Sequence, residues 1–234
     1  MRDDDGVFVK ATGGREQATE NDSPRRGRVH PRVSNRGLTV VYYGDGKGKT
    51  TAALGAVLRA VGQGWRCVVI QFIKGSWPSS ERVAIPKYLR NLVSIEAGGK
   101  GFVGIVDDRL PRGEHKKQAQ KLFRKVEKMF RGWTKAAGSR QQAAGERKSL
   151  APSPQPLVPH LVVLDEILDA VEFGFLTQTE VVRFIKTKPP QLHLILTGHK
   201  KFPKILAAAD LVTRMAKEKH PYDKGFLAVR GLDF

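Results

Sequence analysis

The stretch "VVYYGDGKGKTTAALGAVLRA", Val40 to Ala60, decides the fold. An apolar, β-branched run leads into three glycines interleaved with Asp45 and Lys47, and then into Lys49, Thr50 and Thr51. Thr50 to Val61 carries a helix-compatible pattern closed by "GQG", and "RCVVIQFI" then reads as a second buried strand. In such a loop successive backbone N–H groups converge on an anion, and the helix that follows adds its positive end. Lys49 supplies a point charge to phosphates, and the Thr50 hydroxyl is placed to ligate Mg²⁺. The strict phosphate-loop pattern asks for glycine five positions before Gly48, where Tyr43 stands, with Gly44 one residue later. The loop is therefore a variant. A strand, loop, helix and strand in this order predict a parallel pair with a right-handed crossover.

The second half of a nucleotide site lies in "LVVLDE", Leu161 to Glu166. Four apolar strand residues deliver Asp165 and Glu166 to a carboxyl end, where a pair of acids serves a phosphate-bound metal directly or through water. Further strands are expected at "LTVVYY", "NLVSIEA", "HLVVLDEI" and "LHLILTG", with "DLVTRMA" and "GFLAVRGLDF" as late strand-like pieces. Helices are expected at "TQTEVVRFIKTK", with a Thr cap, and at "PKILAAA". Ala119, Leu122, Phe123, Val126, Met129, Phe130 and Trp133 recur at spacings of three and four, so this segment predicts an amphipathic helix with its lysines outward. Strands alternating with helices predict an α/β fold with a mostly parallel sheet flanked by helices, the RecA-like architecture of phosphate-loop NTPases.

With 234 residues, 40% of them hydrophobic, the chain has material for one sizeable core. Residues 1–36 mix Gly, Ser, Asn, Pro and charge without apolar periodicity and read as a disordered basic tail, leaving 37–234 as the domain. A flexible insertion rich in Gly, Ser, Pro and Gln is expected at about 138–158. The single cysteine, Cys67, excludes an intrachain disulfide and reads as a core residue. The opening "MRDDDGVFVK" has three acids where a targeting peptide avoids them, and no stretch approaches a membrane span, so a cytoplasmic protein without membrane contact is expected. The net charge is +18, and Lys74 to Lys148 hold eighteen Lys and Arg against seven Asp and Glu. That charge admits a nucleic-acid partner, but no aromatic platform or groove-reading motif accompanies it.

The segments "YGDGKGKTTAALGAVLRAVGQGWRCVVIQFIKG", "LVVLDEILDAVEFGFL", "LILTGH", "ADLVTRM" and "KHPYDKGFLAVRGLDF" together resemble the phosphate-loop type of ATP:corrinoid adenosyltransferases, over roughly Leu38 to Phe234. "QFIKG" after the second strand and the terminal "KHP" are the specific parts. The resemblance implies that Co(I) of a reduced corrinoid attacks the 5′ carbon of ATP and expels triphosphate, with a reductant supplying Co(I) and a homodimer as the assembly. It implies that Gly44, Asp45, Gly46, Lys47, Gly48, Lys49, Thr50 and Thr51 form the triphosphate loop, with Lys49, Thr50 and Glu166 catalytic and Thr50, Asp165 and Glu166 around Mg²⁺ or Mn²⁺. Arg59, Gln71, Lys74, Phe102, His199 and His220 fall on ligand-binding positions, Phe102 at the lower face of the cobalt, and Glu81 on the family's acidic one. Two departures stand out. Phe102 is followed by Gly104 where a corrinoid-shielding tryptophan is usual, and His199 replaces a usual arginine. The alternatives are a RecA-like nucleic-acid-dependent ATPase, which needs a positioned water and sensor residues, and a carrier that binds ATP and corrinoid without turnover.

Overall fold

The computed structural model describes residues 36–75, 79–99, 111–145 (136–145 as backbone), 158–226 and 228–232. Phe102, Gly104, residues 1–35 and residues 146–157 lie outside the described residues.

Apolar β-branched runs form the strands β1 (Thr39–Tyr43), β2 (Cys67–Gln71), β3 (Val93–Ala97), β4 (Leu161–Asp165), β5 (His193–Gly198) and β6 (Leu211–Arg214). Among the described residues they make one sheet in the order β3-β2-β4-β5-β1-β6, and every pairing is parallel. β1 and β2 are thus parallel without being neighbours. β4 and β5 lie between them, because the crossover helix α1 (Lys49–Gly62) carries the chain across two strand positions filled later in the sequence. The strand expected in "GFLAVRGLDF" does not form over its described part, which runs as loop and turn. The sheet ends at β6, whose four residues are all exposed.

The alternation of side chains along central strands divides the core into two layers. Val162, Leu164, Leu194 and Leu196 face one way, onto α3 (Arg112–Gly145), α4 (Ile167–Glu172) and α5 (Gln178–Lys186). Leu161, Val163 and Ile195 face the other, onto Ala53, Val57 and Ala60 of α1 and onto Cys67. On α3 the stripe expected from the sequence is buried, with Phe123 and Phe130 stacked at a tilt on Phe184 of α5. This helix continues to Gly145, eight residues into the segment expected to be a flexible insertion. Ala136, Ala137, Arg140, Gln141, Gln142, Ala143 and Ala144 are all good helix formers, so the run extends the helix despite Gly138 and Ser139. α5 begins in a capping box: Thr177 Oγ1 accepts from the Glu180 N–H, and Glu180 Oε2 accepts from the Thr177 N–H at 2.7 Å.

Among the described residues, four short helical pieces remain. They are α2 (Ser80–Ala84) with a π-helical turn at Ile85–Leu89, α6 (Pro203–Ala207), and a 3₁₀ turn at Pro221–Lys224. α1 and α2 both start at the carboxyl ends of the strands, which is where an open parallel sheet binds its ligands.

Candidate active site

The loop between β1 and α1 runs close against the segment that follows β6. Gly44 has φ 124°, and a Cβ there would lie 2.2 Å from the Met215 carbonyl oxygen. At Gly46 a Cβ would lie 2.6 Å from the Ala216 carbonyl oxygen, and the Gly46 N–H donates to Met215 at 2.8 Å. The segment after β6 therefore forms the outer wall of the loop, and side chains at either glycine would push it away. Tyr43, where the strict pattern has glycine, is the last residue of β1 and pairs with both Gly198 and Arg214.

Lys49, the first residue of α1, turns back over the loop and donates to the carbonyls of Gly44 at 2.8 Å and Gly46 at 2.7 Å. Burial lowers its pKa, and the carboxylates of Asp169, Glu166, Asp45 and Asp165 oppose that without cancelling it. Thr50 Oγ1 donates to Asp165 Oδ1 at 2.9 Å, so the helix start and the end of β4 are tied although β5 separates their strands. β5 joins the contact: Thr197 Oγ1 donates to the same Asp165 oxygen at 2.8 Å and accepts from the Glu166 N–H at 2.8 Å.

The two neighbouring acids have different surroundings. Asp165 is completely buried, and both of its oxygens are occupied: Oδ1 by Thr50 and Thr197, and Oδ2 by Gln71 Nε2 at 3.2 Å with the Lys74 ammonium at 3.6 Å. Glu166 has φ 60°, the left-handed region that a non-glycine residue adopts at some cost. Its Oε2 is buried without a hydrogen-bond partner. Loss of hydration, and then the neighbouring Asp165 charge, push its pKa up to about 8. An unpartnered carboxylate oxygen of Glu166 and the Thr50 hydroxyl, which line the same cleft, are hard oxygen donors, which suit a magnesium ion. Among the described residues no group of three or more His, Cys, Asp or Glu is placed to hold a metal. These residues therefore fit an ion that takes its remaining ligands from phosphate and water.

A cleft of about 520 Å³ opens above these groups, lined by Lys47 to Thr51, Lys74, Glu81, Glu166 and His199. Ser80, Leu54 and Thr197 also line it, together with Gly231 and Leu232 from the end of the chain. His199 is held by Asp169, whose Oδ1 accepts from the His199 backbone N–H at 2.8 Å and lies 3.0 Å from Nδ1. Lys74 donates to Glu81 at 3.1 Å. Burial disfavours the charge on Lys74, but Asp165, Glu166 and Glu81 outweigh it and raise its pKa. The same burial is outweighed at Glu81, whose pKa is lowered by Lys74 and by hydrogen bonds.

Two residues expected at the site are elsewhere. Arg59 lies in the last turn of α1 and lines a separate cleft of about 340 Å³ with Tyr42, Trp65 and His193. It misses the phosphate loop because the helix rises about 1.5 Å per residue, which carries position 59 roughly 15 Å from Lys49. His220 is absent from the cleft lining; it caps the 3₁₀ turn, its Nδ1 accepting from the Tyr222 N–H at 3.1 Å. Sequence reasoning in turn missed Thr197 and Asp169. Thr197 was legible in "LTGH" two positions before His199, whereas Asp169 lies in a helix whose approach to the site no spacing reveals.

Comparison with known proteins places the sequence in a family. The sequence matches the family described as ATP:corrinoid adenosyltransferase BtuR/CobO/CobP over residues 35–234. A corrinoid adenosyltransferase of Sinorhizobium sp is 33% identical over 204 residues, covering 87% of this chain and 83% of its own. One from Escherichia coli K12 is 31% identical over 207 residues, covering 88% and 90%. The chain belongs to the ATP:corrinoid adenosyltransferase family.

Proposed function

We propose that this protein transfers the 5′-deoxyadenosyl group of ATP to the Co(I) centre of a reduced corrinoid and releases triphosphate. The supporting observation is that the variant phosphate loop and the Asp165–Glu166 pair, both inside the family match, meet across one cleft. The cobalt electron pair forms the bond to C5′. The C5′–O bond breaks, and its pair goes to the triphosphate oxygen. No side chain is consumed. Cys67 in particular is 2% exposed in the core, with its thiol pushed up to about 11 by burial.

What the chain supplies is electrostatic. Charge grows on the phosphate chain as the C–O bond breaks, so preorganised donors stabilise the transition state more than the ground state. The first-turn amides of α1, which have no partner inside the helix, and Lys49 serve that role. Thr50 and Glu166 are the residues that would hold a Mg²⁺ or Mn²⁺ ion, and such an ion adds a divalent charge against the leaving group. Asp165 orients Thr50 through their hydrogen bond. His199, kept in place by Asp169, adds a contact on the β5 side of the cleft. The reductant that supplies Co(I), a homodimeric assembly and a cytoplasmic location belong to the same proposal. Among the described residues no helix is long and apolar enough to cross a membrane.

The test is anaerobic incubation with ATP, Mg²⁺ and chemically reduced cobalamin, followed by identification of the products. An adenosylated corrinoid with one equivalent of triphosphate is expected. ADP formed in step with turnover, or ATP cleavage that depends on added nucleic acid, would favour the ATPase reading instead.

A further inference from the structure

Arg82 of α2 lies behind the cleft wall and does not line the cleft. Among the contacts of its guanidinium, Nε donates to Gln71 Oε1 at 2.9 Å, Nη2 to the Lys74 carbonyl at 3.0 Å, and Nη1 to the Gly75 carbonyl. Gln71 is completely buried at the end of β2, in register with Asp165 of β4. With its oxygen engaged by Arg82, the Gln71 amide presents Nε2 to the acids. Nε2 donates to Glu81 Oε1 at 3.0 Å and to Asp165 Oδ2 at 3.2 Å. Lys74 closes the circuit, since its ammonium reaches the same Glu81 oxygen while its carbonyl is held by Arg82.

An amide side chain has nearly the same shape with its oxygen and nitrogen exchanged, so partners alone choose its orientation. Here a donor-only guanidinium and two acceptor-only carboxylates choose the same one. A planar fork fixes several acceptors at once, which a lysine ammonium does not reproduce.

We propose that Arg82 is a positioning residue for adenosyl transfer. It fixes the Lys74–Gly75 backbone and the Gln71 amide together, and so holds the Lys74 ammonium and Asp165 in the arrangement that the reacting cleft requires. This rests on the proposed function for its kinetic consequence. Lys74 and Glu81 line the cleft apart from the phosphate loop, which Lys49 holds through its own bonds to the Gly44 and Gly46 carbonyls. Loss of Arg82 should therefore disturb turnover more than the grip on triphosphate.

The experiment compares Arg82→Met, Arg82→Lys, Gln71→Met and the Arg82→Met/Gln71→Met double variant with the parent protein. Binding of ATP with Mg²⁺, followed without corrinoid, is expected to change by less than about threefold in Arg82→Met. The kcat for adenosylation should fall by about 10- to 100-fold, the range that misplacement by about 1 Å produces. Arg82→Lys should fail to restore it. The double variant should be no slower than the slower single variant, because both remove the same link. Hydrogen exchange of the Phe72–Gly75 amides should accelerate in Arg82→Met and Arg82→Lys, with the amides of Gly44–Thr51 unchanged. A kcat within twofold of the parent, full rescue by lysine, or unchanged exchange over Phe72–Gly75 would each overturn the assignment. So would loss of ATP binding and turnover together with a lowered thermal midpoint, which marks a general structural role. If the parent protein forms no adenosylated corrinoid, the proposed function fails, while the exchange measurement still decides whether Arg82 fixes the cleft wall.

Discussion

Lys49 illustrates how a residue legible in the sequence acquires its function from the fold. Its position after the glycines marks it as a phosphate contact, but its two hydrogen bonds to the Gly44 and Gly46 carbonyls show how the ammonium is kept over the loop. In the proposed reaction, Lys49→Ala removes one preorganised cation from the leaving-group side of the cleft. It is expected to lower kcat on the order of 10²- to 10³-fold, as does removal of a comparable electrostatic contact elsewhere. Steady-state turnover with reduced cobalamin checks this, and an activity within twofold of the parent would remove Lys49 from the mechanism. Asp165 and Glu166 show the opposite relation. Adjacent in sequence and alike in charge, they differ in surroundings because Asp165 ends β4 facing donors, whereas the left-handed backbone at Glu166 turns it away and leaves an oxygen without a hydrogen-bond partner.

At the scale of elements, the amino ends of β4 and β5 are joined by a pair of histidines. His160 Nδ1 accepts from the Arg66 N–H at 3.1 Å, and His193 Nδ1 accepts from the Leu38 N–H at 3.2 Å, with Trp65 stacked on both rings. Burial, and then the Arg66 charge, lower the pKa of His160; burial, Lys188 and His160 lower that of His193. Both rings are thus neutral in the folded state at pH values where the unfolded chain begins to protonate them. The stability this contributes is complete above the ordinary histidine pKa of about 6.5 and is lost as pH falls through the lowered folded values. Each protonation also removes one acceptor, worth about 1 kcal/mol. The thermal midpoint is expected to fall by about 2–4 °C per histidine between pH 7 and pH 5. Replacing both with glutamine should flatten that slope, and an unchanged slope in the double variant would assign it to other groups.

For the whole molecule, the described fold begins at Arg36, which pairs with Asp210, and at Gly37, whose N–H donates to the Pro190 carbonyl at 2.7 Å. Removal of residues 1–35 leaves these contacts in place. The midpoint of the shortened chain is expected to stay within about 2 °C of the parent, and its turnover within twofold, because the segment has no apolar periodicity to bury. Calorimetry and the adenosylation assay check both, and a larger loss would show that this segment contributes to the domain. The charge of +18 also finds part of its place at this scale. On α3, Lys121, Arg124, Lys128 and Arg131 are exposed while Leu122, Phe123, Val126 and Phe130 are buried, so the basic run is the solvent side of a core helix.

By itself the sequence determined most of the local elements, because each depends on neighbours a few residues away, but it did not show α2, α4 or the loop that replaces the strand expected in "GFLAVRGLDF". Glycines interleaved with lysine specify a loop, alternating or continuous apolar runs specify strands, and Thr177 with Glu180 specifies a helix start. It also determined the pairing of a phosphate loop with an acid-bearing strand, since both halves carry their own motif. The order of strands was decided only in the tertiary structure, where β4 and β5 fill the space between β1 and β2 and bring Thr197 into the Thr50–Asp165 contact. The same holds for the exclusion of Arg59, for the wall that Met215 and Ala216 build against the loop, and for the circuit through Arg82. Those depend on distances between segments up to 171 residues apart, which are fixed by how whole layers pack and leave no periodic trace along the chain.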